Sequence, residues 1–178
     1  NLEAEAARYY WDCVRQILPP ELGFKGRITR GANDPFNAML NFGYQAVLFT
    51  EVWKAVSYAG LDFYAGYLHA DRSGKPSLVL DMMEEFRQQL VDRTLIGLIT
   101  KNVIKPNEII AADSIEEGRV LNKEVIKVLL TSLQERLDSE VMFNGQKGSL
   151  KSFIHLQPRC MVRFLLKEAE YVPFCLGW

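Results

Sequence analysis

The sequence predicts an all-α protein, built as one helical domain over its 178 residues. Two observations carry that reading. Apolar residues recur at i, i+3/i+4 spacing through most of the chain, the repeat of a helix with one buried face. Proline and glycine collect between the periodic stretches and mark where helices stop. At 48% hydrophobic and 24% charged residues, the chain has apolar material for a true core, which excludes a disordered segment.

In residues 4–18, Ala6, Ala7, Tyr10, Trp11, Val14, Ile17 and Leu18 fall on one stripe and predict the first helix. Pro19-Pro20 ends it, since proline brings no N–H to a helix interior. Tyr9, Tyr10 and Trp11 read as core rather than as base-stacking groups. Residues 21–36 read as loop, with Gly23, Gly26, Gly31 and Pro35. Asn37 to Tyr58 reads as a long, largely buried helix. The apolar run 61–69 fits a strand or a helix equally, and 70–76 is a polar loop. Ser77 is placed to cap the next helix, its hydroxyl accepting a first-turn N–H. That helix runs to about Val103 on the stripe Val79, Met83, Phe86, Leu90, Leu95, Leu98 and Ile99, and Pro106 stops it. Residues 107–121 are mixed and acidic. Asn122 to Leu137 is a further amphipathic helix, Gly145 and Gly148 break the chain, and Leu150 to Glu168 is the last helix. The closing YVPFCLGW reads as an extended tail that packs its aromatics on the body.

The net charge of −1 neither announces nor excludes a nucleic-acid partner, because basic groups can cluster where phosphates lie. Cys13, Cys160 and Cys175 form an odd set without metal-ligand spacing, which points to a reduced, cytoplasmic compartment. No stretch has the length of a membrane span. The chain opens on Asn1 and enters a helical pattern almost at once, so we expect it to be part of a longer protein.

The chemistry-bearing residues concentrate in one region. His69 ends the apolar run and precedes a loop with Asp71, Arg72, Ser73, Gly74 and Lys75; the helix that follows carries Asp81, Glu84 and Glu85 in its early turns. Residues three or four apart share a helix face, so Asp81 can lie beside either glutamate. A helical wheel puts Glu84 within about 40° of Leu80 and Val91, at the border of the apolar stripe, and Glu85 further toward the polar side. A carboxylate at such a border needs a partner, and a cation is one. One imidazole with carboxylates suits Mg²⁺ or Mn²⁺. His155 reads as an ordinary core histidine and is assigned no role.

The stretch GYLHADRSGKPSLVLDMMEEFRQQLVD, residues 66–92, resembles the central signature of the CRISPR-adaptation integrase family, the universal spacer-acquisition endonuclease. The matching residues are His69, Arg72, Lys75, Ser77-Leu78, Asp81, Glu84, Phe86-Arg87 and Val91-Asp92. The opening LEAEAARYYW, the segment FKGRITRGANDPFNAMLNFGY and the closing YVPFCLGW are similar to the family as well. One departure is visible: Glu3-Ala4 stands where the family usually has Glu-Gly, and alignment favours Glu3 over Glu5.

The resemblance implies the C-terminal helical catalytic domain of such an enzyme, without the family's β-rich dimerisation domain. It implies Glu3, His69 and Glu84 as ligands of Mg²⁺ or Mn²⁺, with Asp81 in or beside the site. It implies strand transfer, in which a DNA 3′-hydroxyl attacks a phosphodiester at the edge of a CRISPR repeat. Arg72, Lys75 and Arg87 would hold phosphates near the metal, and Arg27 and Arg30 would grip backbone further out. The partners it implies are double-stranded and branched DNA, a small ferredoxin-like adaptation protein, and a second copy of the full-length chain. Two alternatives stay open: a related integrase of a mobile element, and a non-catalytic helical DNA-binding or assembly module.

Overall fold

The prolines end the first helix where expected: α1 spans Leu2–Ile17, and one 3-10 turn follows at Pro20–Leu22. The structure is a computed structural model that describes residues 2–29, 31, 34–69, 74–110 and 121–176, with Glu3 described in its backbone only. Tyr10 and Trp11 are half-buried against the core, but Tyr9 points outward at 59% exposure, which corrects its placement as core.

The second helical column starts two residues earlier than its stripe predicts. Asp34 caps it, accepting the Asn37 N–H at 2.8 Å, and Pro35 takes the first position, where a missing N–H costs nothing. The column runs as α2 (Pro35–Phe42), a π-helical segment (Gly43–Leu48) and α3 (Phe49–Tyr58). The run 61–69 is neither strand nor helix; it is a chain of turns. The third column repeats the second: α4 (Ser77–Phe86), a π-helical segment (Arg87–Asp92) and α5 (Arg93–Thr100). A Cβ added at Gly43 would lie 2.7 Å from Val91 Cγ1, so glycine lets the two π-helical segments touch. Asn102, at φ 55°, turns the chain out of α5 before Val103.

Ser77 does not cap α4. It is the first helical residue and is fully buried; its Oγ donates to the Tyr64 carbonyl at 2.5 Å and accepts the Gly66 N–H at 3.1 Å. The hydroxyl ties the preceding loop down instead of closing its own helix.

α6 (Lys123–Asp138) is capped by Asn122 as expected. Where glycines predict only a break, the chain makes a hairpin, β1 (Glu140–Phe143) with β2 (Gln146–Ser149). Asn144 and Gly145 both have positive φ, 47° and 73°, the geometry of a two-residue turn. α7 (Leu150–Leu165) follows, and the tail then packs Phe174 against Phe86, Phe143 and Phe153. α3 lies between α4 and α7, and among the described residues one apolar core joins helices α1 to α7. The class is therefore all-α, apart from the hairpin. Among the described residues, no helix is long and apolar enough to cross a membrane.

Candidate active site

The site is built on the loop between α3 and α4, and one carboxylate organises that loop. Asp81, on the second turn of α4, accepts the N–H groups of Tyr67 (2.5 Å), Leu68 (2.9 Å) and His69 (3.0 Å). It also bonds the His69 ring, Nδ1 to Oδ1, at 2.5 Å. Burial pushes the Asp81 carboxyl up, but the bonds from Leu68, the His69 ring, Tyr67 and the His69 backbone outweigh it and hold the group below its ordinary value. An ionised carboxylate only accepts, so Nδ1 carries the proton and Nε2 is the ring nitrogen left without this partner. Gly66 makes this packing possible: a Cβ there would meet Ser77 Cβ at 2.6 Å and Asp81 Oδ2 at 2.8 Å.

His69 lines a cleft of about 740 Å³ together with Trp11, Arg27, Tyr44, Lys75, Glu84 and Arg87. Of the two glutamates that the sequence leaves open, Glu84 is the one in the cleft. It is solvent-exposed, with its Oε1 2.9 Å from Arg87 Nε. That N–H is buried and not aligned for a hydrogen bond, so the contact is an ion pair. Burial inverts the wheel's order: Glu85, expected toward solvent, is the more buried. The Tyr171 hydroxyl and the Phe174 N–H (2.7 Å) donate to it from the tail. Burial raises the Glu85 carboxyl despite these two donors, and its partners leave it no part in the cleft.

The cationic side of the cleft is held as firmly. Arg27 is not an ordinary surface charge. It donates to Asn41 Oδ1 at 2.6 Å, to Asn37 Oδ1 at 3.0 Å and to the Ile28 carbonyl. The Arg27 and Arg87 guanidiniums sit 5.2 and 4.8 Å from the centre of the same ring, that of Tyr44. Tyr44 is buried and donates its hydroxyl to Asp92, which also accepts Tyr10 at 2.9 Å. Asp92 is 2% exposed, and burial lifts its pKa to about 6 against the pull of the two hydroxyls and of Arg87 and Arg27. This network ties α1 to both π-helical segments below the cleft.

The structure thus brings His69, Glu84, Lys75, Arg87 and Arg27 to one cleft and sets Asp81 directly behind the imidazole. Arg30 and Arg72 lie outside the described residues, as does the side chain of Glu3. Sequence reasoning assigned no role to Tyr44, Asn37, Asn41 or Tyr10, nor to Asp92 beyond its place in the signature. For Asn37 a signal existed: a polar residue on the apolar face of its helix, buried completely and bonded to Gly26, Ile28 and Asp34. His69 and Glu84 offer the cleft an imidazole and a carboxylate, donor types that a hard or borderline divalent ion takes; among the described residues no three such groups converge.

Fold and cleft define a helical domain with a histidine–carboxylate site ringed by cations. The family model "CRISPR associated protein Cas1" matches residues 1–135, and the chain belongs to the Cas1 family. The CRISPR-associated endonuclease Cas1 1 of Archaeoglobus fulgidus is 42% identical over 100% of this chain and 52% of its own length. Its Saccharolobus solfataricus counterpart is 51% identical over 97% of this chain and 41% of its own. The chain therefore spans about half the length of these relatives. A solved casposase bound to integration product matches with TM-score 0.85 and 28% identity, over 97% of this chain and 48% of that one. The Cas1 protein of Thermotoga maritima shares the fold, with TM-score 0.79 at 23% identity over 93% of this chain and 52% of its own. The resemblance carried by residues 66–92 is borne out.

Proposed function

We propose that this chain is the catalytic domain of a divalent-metal-dependent DNA endonuclease and integrase of CRISPR adaptation. The observation that carries this reading is the His69 imidazole, locked by Asp81 and sharing with Glu84 a cleft lined by Arg27, Lys75 and Arg87. The reaction is strand transfer: a DNA 3′-hydroxyl oxygen forms a bond to phosphorus as a phosphodiester P–O bond breaks, with no covalent link to protein.

Glu3, His69 Nε2 and Glu84 would hold Mg²⁺ or Mn²⁺. When bound, such an ion polarises the phosphate and stabilises the leaving oxygen. The protein's own groups bind and orient. Asp81 keeps the imidazole from turning and fixes its tautomer. Arg87 and Lys75 neutralise phosphate charge in the cleft, and Arg27, braced by Asn37 and Asn41, extends that grip. Arg72 and Arg30 join them by family likeness. Double-stranded and branched DNA are the substrates. The small ferredoxin-like adaptation protein and a second copy of the full-length chain are the partners. The casposase named as bound to an integration product supports integration as the chemistry of this fold.

The test is nicking and strand transfer on branched DNA with Mn²⁺. His69→Ala and Glu84→Ala should each cut the rate by about 100-fold or more while circular dichroism stays helical. Activity near wild type in either variant, or activity indifferent to EDTA, would overturn the reading.

A further inference from the structure

The last helix carries a charge pattern that the cleft does not use. α7 (Leu150–Leu165) contains Lys151, His155, Arg159 and Arg163, each four residues after the one before, and no aspartate or glutamate. Its lysine and two arginines give it a charge of +3 within a chain of net −1, so the rest of the molecule is at −4. A four-residue step turns about 40° and rises about 6 Å, so the four side chains follow a shallow spiral about 18 Å long. Arg159 and Arg163 are exposed and Lys151 and His155 partly so, whereas Phe153, Ile154, Gln157 and Met161 face the core.

Neighbouring elements extend the stripe. Lys147 on β2 lines a groove of about 350 Å³ with Ser152, His155 and Arg159. Tyr58, 70% exposed at the end of α3, stacks on His155 with ring centres 5.9 Å apart. Among the described residues, three carboxylates touch this face. Glu51 lies beneath it, mostly buried, 2.7 Å from Lys54, 3.5 Å from His155 and 3.8 Å from Lys151. Glu140 pairs with Lys147 at 2.6 Å, and Glu168 stands 4.0 Å from Arg163. Glu51, Glu140 and Glu168 stand against Lys54, Lys147, Lys151, Arg159 and Arg163, so the face keeps a net charge of +2. Among the described residues, none that lines the cleft belongs to α7.

We infer that the α7 face is a second DNA-backbone surface, separate from the catalytic cleft. The inference rests on the DNA reading above. One DNA strand carries a phosphate about every 3.4 Å of axis, so the stripe is long enough to face about five of them. Cations spaced along one helix contact a phosphate polymer in any sequence, which gives grip and register but no base readout. Tyr58 adds an exposed ring beside the stripe. The role suits an integrase that must hold duplex away from the phosphodiester it attacks.

The test measures affinity of this chain for a fluorescent duplex of arbitrary sequence as a function of KCl. Lys151→Gln/Arg159→Gln/Arg163→Gln should lower the slope of log K against log[salt] by about 2 to 3, and weaken binding at low salt about tenfold or more. Arg159→Gln/Arg163→Gln leaves the partners of Glu51 in place and guards against misfolding; its slope should fall by about 2. Combined with Arg87→Gln in the cleft, the losses should add. Unchanged slope and affinity in both stripe variants would overturn the inference while leaving the DNA reading intact. The same holds if the variants keep the duplex but lose poly-glutamate, which assigns the face to an acidic protein. Wild-type chain that fails to bind duplex at all would overturn the DNA reading and the inference together.

Discussion

Asp81 and Asp92 sit on one helical column, both buried, and both accept hydrogen bonds at the back of the cleft, yet they titrate in opposite directions. Asp81 receives three backbone N–H groups and an imidazole N–H, and is held below its ordinary value. Asp92 receives two tyrosine hydroxyls and is raised to about 6. Burial opposes ionisation at both and is deeper at Asp92, 2% exposed against 8% at Asp81. At Asp81 four N–H donors outweigh desolvation; at the more deeply buried Asp92 two hydroxyls, even with Arg27 and Arg87 near, do not. Asp81 is thus held in its ionised form and fixes a histidine. Asp92 is a joint between helices that tolerates losing its charge.

The largest expected effect is at Asp81. Asp81→Ala leaves three loop N–H groups and the His69 ring without their acceptor. DNA cleavage should fall about 100-fold, and stability by about 2–4 kcal/mol in urea denaturation. If activity survives, the imidazole does not depend on Asp81 and the contrast between the two aspartates loses its functional meaning.

Asp92→Asn sharpens the contrast through pH. A carboxyl raised in the fold contributes stability that is complete below its unfolded value, near 4, and lost as pH rises through the folded value of about 6. Asp81, being depressed, has the opposite sign: its contribution is present above the unfolded value and lost as pH falls through the lower folded one. Wild type minus Asp92→Asn stability should therefore be more favourable at pH 4 than at pH 7, by up to about 3 kcal/mol. A difference that stays flat, or grows with pH, contradicts the burial argument.

The smallest effect is Tyr10→Phe, which removes one of the two donors to Asp92. The expected cost is about 1 kcal/mol at pH 7, where Asp92 is largely ionised, and less at pH 4. Equal costs at both values would mean that the hydroxyl does not serve the charged form.

The Asp81 side of the site was legible, because His69, Asp81 and Glu84 lie close together in a specific stretch. The Tyr10–Asp92–Tyr44 network was not: 82 and 48 residues separate its members, and nothing local marks a tyrosine that will share a distant carboxylate. Helical class and helix order follow from apolar spacing, which is local. The hairpin was missed although Asn144-Gly145 is a turn pair, because each strand has only four residues and little alternation to show.

By itself the sequence determined that this protein is helical, where its helices stop, and which His-and-carboxylate stretch carries its chemistry. Those properties depend on neighbours within a few turns. Helical spacing left Glu84 and Glu85 open and the family resemblance pointed to Glu84; the tertiary structure supplies the physical reason. Both sit at permissible angles on α4, and the choice was made by a tail 86 to 89 residues away, whose Tyr171 and Phe174 take Glu85 and leave Glu84 to the cleft. It also decided that Arg27, Arg87 and Tyr44 form one stack, and that the basic residues of α7 face outward together. Which side chains meet across a core depends on how whole helices cross, here on a glycine that lets two π-helical segments touch, and that information is spread over the entire chain.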